Sequence, residues 1–213
     1  MRTSEQINEI ILRLEDEYPL AECSLEYEKD YELLFAARLA AQCTDERVNR
    51  VTPILFERYP TLKSLAEAEI SELEEYIHSC GFFRSKAHDI MSCANALIDR
   101  FDGKVPDNME DLTSLPGVGR KTANLMLGDI FGKPAVVVDT HCIRLTNRIG
   151  LVDNLKDPAK IETELRKLLP PEKSSDFCHR MVLHGRAVCP ARKPLCEKCC
   201  IRHVCKDFQG TEK

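Results

Sequence analysis

Apolar residues recur along this chain with the period of a helix. Ile7, Ile10, Ile11 and Leu14 fall at i, i+3, i+4 and i+7, behind Thr3 and Gln6 at capping-box spacing. Two further helices are predicted over 31–42 and 45–58, with Thr44 as the N-cap between them and Pro53 as a kink or boundary in the second. Another pair is predicted over 71–79 and 85–101, where Ala87, Ile90, Met91, Ala94, Leu97 and Ile98 form the inward stripe. Shorter helices are expected over 108–114, 120–131, 140–149, 158–168 and 175–187. Residues 135–138 alone look strand-like, and four residues are too few to seed a sheet. The predicted class is therefore all-α. No internal repeat or low-complexity tract is visible. The sequence FGKP at 131–134, with Gly132 and Pro134 stopping a helix, is the best candidate for a domain crossing.

A chain of 213 residues has enough core for two small domains or one large one. No apolar run approaches the ~18 residues of a membrane span, and the first residues lack the apolar centre of a secretion signal. A cytoplasmic protein is expected. The net charge of -5 argues mildly against nucleic acid. Its distribution argues the other way: residues 1–30 carry nine acids against three bases, and residues 178–206 carry seven Lys/Arg against one acid. One face can still grip a phosphate backbone.

The stretch LPGVGRKTAN at 115–124 places Gly117, Val118 and Gly119 between two predicted helices. Glycines allow positive φ and close backbone approach, and free N–H groups at the next helix start favour an anion. A phosphodiester fits such a turn, as does a plain helix corner. Lys121 lies in the first turn of the following helix, the positive end of its dipole, beside Arg120. That field, with any burial, would raise the neutral, nucleophilic fraction of the amine. Asp139 ends the apolar run in VVVDTH and precedes a helical pattern. It reads as an N-cap, a role compatible with stabilising positive charge on a sugar or assisting proton transfer.

These segments, together with AQCTDERVN at 41–49, GFFRSKA at 81–87 and the terminal cysteines, resemble the endonuclease III family of DNA glycosylases over nearly the whole chain. The resemblance implies a two-domain helix-hairpin-helix fold. A six-helix barrel domain would span 23–133, and residues 1–22 with 134–213 would form a second, discontinuous domain. Lys121 maps to the family's nucleophile and Asp139 to its catalytic aspartate, facing each other across a DNA-binding cleft. The implied activity is bifunctional: removal of oxidised pyrimidines through a lysine Schiff base, then β-elimination at the abasic site. The implied partner is double-stranded DNA carrying oxidised pyrimidines or abasic sites, engaged by a monomer in the nucleoid and away from any membrane.

Cys189, Cys196, Cys199 and Cys205 have the spacing C-x6-C-x2-C-x5-C. Four thiolates so close in a reducing compartment predict a metal site, and spacing alone accepts zinc or a 4Fe–4S cluster. The resemblance implies the 4Fe–4S cluster, a structural staple presenting Arg192 and Lys193 to phosphates. Cys200 is expected to be a bystander. The other six of the eleven cysteines read as small semi-buried residues.

Gln42 and Phe82 complete the expected DNA-binding set. An amide can bond an orphaned base, and a ring at a turn can wedge into the stack a glycosylase must open. Within the family the position of Phe82 is commonly leucine. An adenine-mismatch glycosylase shares the hairpin and aspartate but usually lacks the lysine. A non-catalytic DNA-binding or redox-sensing iron–sulfur protein is the alternative from another class, against which Lys121 and Asp139 argue.

Overall fold

The computed structural model describes residues 2–211. Twelve α-helices are found among them, and no strand. The chain forms two compact units, Met1–Glu22 with Gly132–Lys213, and Cys23–Phe131.

In the first unit, α1 (Ser4–Glu17) starts at a capping box in which Thr3 and Gln6 exchange bonds. Its stripe of Ile7, Ile10, Ile11 and Leu14 is buried, each side chain contributing about 1.5–3 kcal/mol relative to exposure. The second unit holds α2 (Asp30–Leu39), α3 (Asp45–Arg58), α4 (Leu62–Ala66), α5 (Ile70–Ile77), α6 (Phe83–Phe101), α7 (Met109–Thr113) and α8 (Arg120–Asp129). The chain then returns to the first unit as α9 (Thr140–Ile149), α10 (Pro158–Leu168), α11 (Ser174–Ala187) and α12 (Lys206–Thr211).

Thr44 caps α3 by accepting from the Arg47 amide at 3.3 Å. Pro53 sits inside α3 without ending it. The Thr52 hydroxyl donates to the Val48 carbonyl there, a side-chain bond to the preceding turn. The centre of the second unit is α6, which packs on α2, α4 and α5. Its buried face is Lys86, Ala87, Ile90, Cys93, Ala94 and Leu97. The predicted stripe is corrected at its edges: Ile98 is exposed and Met91 only half-buried, while Lys86 and Cys93 are inside. Residues 135–138 form no strand; they lie outside any regular element, with Ala135, Val136 and Val138 buried in the first unit.

The predicted cysteine site does not form. Among the described residues, no group of three or more His, Cys, Asp or Glu side chains is placed to hold a metal ion. Three of the four sulfurs bond to Arg148 or His184. Cys189 Sγ accepts from Arg148 at 3.3 Å, Cys199 Sγ lies 3.3 Å from His184 Nε2, and Cys205 Sγ donates to the Arg148 carbonyl at 3.5 Å. The side chains of Cys189, Cys196, Cys199 and Cys205 therefore do not fit a 4Fe–4S cluster in this arrangement. All four are free thiols, as is Cys200.

Candidate active site

The hairpin between α7 and α8 is built by one close approach. Gly117 has φ +72, and a Cβ there would lie 2.8 Å from Asp89 Cβ and 3.0 Å from Arg38 Nε. Only glycine fits that backbone and that space. Beneath it, Arg38 of α2 donates to Asp89 of α6 at 2.7 Å. Val118 is 9% exposed, so at this position the backbone rather than the side chain is on offer. Gly119 is the N-cap of α8 and has no side chain to cap it. The first amides of α8 thus begin at a glycine turn, the arrangement that favours an anion.

Lys121 stands exposed in the first turn of α8. The half-buried thiol of Cys23 feels its charge; desolvation nevertheless pushes that thiol up to about 12. Asp139 begins α9 in the other unit. Its Oδ1 accepts from the Cys142 amide at 2.7 Å, and the residue is half-buried. One carboxylate oxygen is therefore anchored by the helix start.

Gln42 and Phe82 share an unusual backbone. Gln42 has φ 54 and Phe82 has φ 47, the left-handed region, and Gly81 before it has φ 69. Strain of about 1–3 kcal/mol at such positions persists only where the surroundings enforce it. Both residues are exposed, Phe82 by 68%. Phe82 is therefore not a core residue.

Arg192 and Lys193 lie exposed on a loop closed by Leu195 N–H donating to the Val188 carbonyl at 2.8 Å. Two arginines of α9 hold that loop. Arg144 donates to the Cys189 carbonyl, and Arg148 donates to the carbonyls of Pro190 and Ala191 at 2.8 Å each. Guanidinium–carbonyl bonds thus shape a loop that the sequence assigned to a cluster.

Three residues escaped the sequence reading: Arg38, Asp89 and Lys86. Lys86 donates from Nζ to the carbonyls of Leu39 and Ala41 at 2.8 Å and of Cys80 at 2.9 Å. The available signal was its register, four before Ile90 and seven before Cys93 on the buried face of α6.

A glycine hairpin opening an uncapped helix, with an exposed lysine directly behind it, defines a helix-hairpin-helix protein of the DNA-binding class. Residues 35–171 match the family of HhH-GPD superfamily base excision DNA repair proteins. The chain is similar to the endonuclease III of Synechocystis sp., with 50% identity over 208 residues, 97% of this chain and 94% of that one. A solved non-covalent endonuclease III–DNA complex superposes with a TM-score of 0.94 at 39% identity, covering 100% of this chain and 99% of that one. A trapped endonuclease III–DNA covalent intermediate, described as an estranged-adenine complex, also gives 0.94 at 39% identity and covers 100% of both chains. The protein belongs to the endonuclease III family of helix-hairpin-helix base-excision DNA repair proteins.

Proposed function

We propose that the protein excises oxidised pyrimidines from duplex DNA and then cuts the strand, with Lys121 as nucleophile and Asp139 as the assisting carboxylate. It is a DNA glycosylase and abasic-site lyase of base excision repair, the activity that comes with its family. The lesion class and the residue roles are our inference. The observation that carries them is the position of Lys121, exposed in the first turn behind the uncapped Gly117–Gly119 turn. A phosphate held by that turn would bring its sugar beside the lysine. A relative's trapped covalent intermediate with DNA supports a covalent step here.

In this mechanism the free amine of Lys121 attacks C1′. The N–C1′ bond forms as the C1′–base bond breaks, and the departing base takes the electron pair and then a proton. Opening of the sugar at O4′ leaves a protonated imine. Loss of a proton from C2′ then expels the 3′ phosphate, and water releases the lysine. Asp139 stabilises the positive charge developing at the sugar and relays protons. The hairpin amides, Arg192 and Lys193 meet phosphates, Phe82 wedges the stack, and Gln42 bonds the base left unpaired.

No helix among the described residues is long and apolar enough to cross a membrane. We place the protein in the cytoplasm, acting on DNA as a monomer. The test is strand cleavage of a duplex carrying one oxidised pyrimidine, with Lys121→Ala alongside. Cleavage lost in the variant, with duplex affinity kept, is the expected result. Salt-dependent binding without turnover by the parent protein would establish a non-catalytic binder instead.

A further inference from the structure

The left-handed backbone at Gln42 and Phe82 has one shared support. Ala41 immediately precedes Gln42, and Cys80 lies two residues before Phe82; both give their carbonyls to Lys86 Nζ. The Leu39 carbonyl at the end of α2 takes the third proton. All three ammonium protons are thus used. Lys86 is 1% exposed, and its bonds to the Leu39 and Cys80 carbonyls are buried, that to the Ala41 carbonyl part-buried.

A buried cation is costly unless it is paired or fully bonded. Here its bonding partners are carbonyls at the ends of two helical segments, α2 and the short 3-10 turn His78–Cys80. Helix ends of this polarity favour a positive charge. Burial pulls the ammonium below the ordinary lysine value, while the thiols of Cys43 and Cys80 face it and Arg38 adds a like charge. The carbonyl dipoles oppose the effect of burial. On the same helix, three residues further, Asp89 supports the hairpin through Arg38. One face of α6 therefore underlies both the hairpin and the two strained turns.

We infer that Lys86 is a positioning residue for DNA opening: its buried ammonium ties the turn carrying Gln42 to the turn carrying Phe82, so that both enter the base stack as one preformed unit. This rests on the reading of Gln42 and Phe82 as the residues that enter the duplex. Residues that must fill a gap together work best when their separation is set before binding, because ordering them during binding weakens the complex. Lys86 itself touches no substrate in this scheme.

The experiment compares two substrates under single turnover: an oxidised pyrimidine in a fully paired duplex, and the same lesion inside an unpaired bubble. The bubble is already open, so its cleavage depends little on the wedge. Lys86→Met is expected to slow excision from the paired duplex about 10- to 100-fold, as a small misplacement of positioned groups does. Cleavage in the bubble should change less than about threefold, since the reacting groups are untouched. A 2-aminopurine opposite the lesion should brighten with the parent protein and stay dark with the variant. Lys86→Gln, which keeps two donor protons, should show the same split at smaller size and guards against a methionine variant that does not fold. Equal losses on both substrates, or no loss on the paired duplex, would overturn the inference. Gln42→Ala and Phe82→Ala run alongside separate it from the reading beneath it. If both leave paired-duplex excision intact, that reading fails; if both slow it and Lys86→Met does not, the tie fails.

Discussion

Two helix starts carry the proposed chemistry, and they are finished in opposite ways. At α8 the N-cap is Gly119, which has no side chain, and the first turn presents an exposed lysine. At α9 the N-cap is Asp139, whose Oδ1 is held by the Cys142 amide at 2.7 Å. An uncapped start keeps its amides for a ligand, whereas a capped start fixes a charged side chain in place. In the proposed mechanism the same local physics serves anion capture at one start and orientation of a carboxylate at the other. Neutral replacements should therefore separate chemistry from stability differently at the two starts.

The largest contrast is expected at Lys121. Its replacement by alanine should lower strand cleavage more than about a thousandfold, as loss of a nucleophile does, and leave the melting behaviour within about 0.5 kcal/mol, as for an exposed surface side chain. Asp139→Asn should slow excision by about 10²–10³ while keeping the cap, since asparagine caps about as well as aspartate. Asp139→Ala should add a stability loss of about 1 kcal/mol in denaturant titration. Equal stability of the asparagine and alanine variants would break the comparison at α9.

Gly117→Ala tests the α8 side. The φ of +72 and the close approach of Asp89 should together cost about 1–3 kcal/mol, with weaker duplex binding measured by fluorescence anisotropy. Normal stability in that variant would show that the turn relaxes freely. The smallest effects belong to the basic loop. Arg192→Ala and Lys193→Ala should each weaken DNA binding without altering base preference, and lower the slope of log affinity against log salt by about one.

Local punctuation in the sequence was highly legible. The α9 boundaries follow from Asp139 as cap and from Gly150, which ends the helix at φ 88; α1 follows from its capping box and stripe. Side-chain direction was less legible. Lysine ordinarily sits in solvent, so Lys86 was passed over although its register pointed inward. Helical spacing places Ile98 on the inward stripe, yet it lies at the exposed edge of α6. The cysteine spacing limits how far apart the sulfurs can be along the chain, but not where each one points. Arg148 and His184, distant in sequence, take the sulfurs of Cys189, Cys199 and Cys205 as partners. The run 135–138 looked like a strand because burial alone selects β-branched residues, whether or not a pairing partner exists.

The most direct test of Lys121 as the covalent nucleophile is to locate the bond itself. The protein would be incubated with a duplex containing an oxidised pyrimidine in the presence of borohydride, the reduced adduct digested, and the modified residue read by mass spectrometry. The expected result is a deoxyribose-derived remnant on Lys121 and on no other amine. A remnant on a different lysine or on the N-terminus would contradict the assignment, and with it the proposed role of the α8 start.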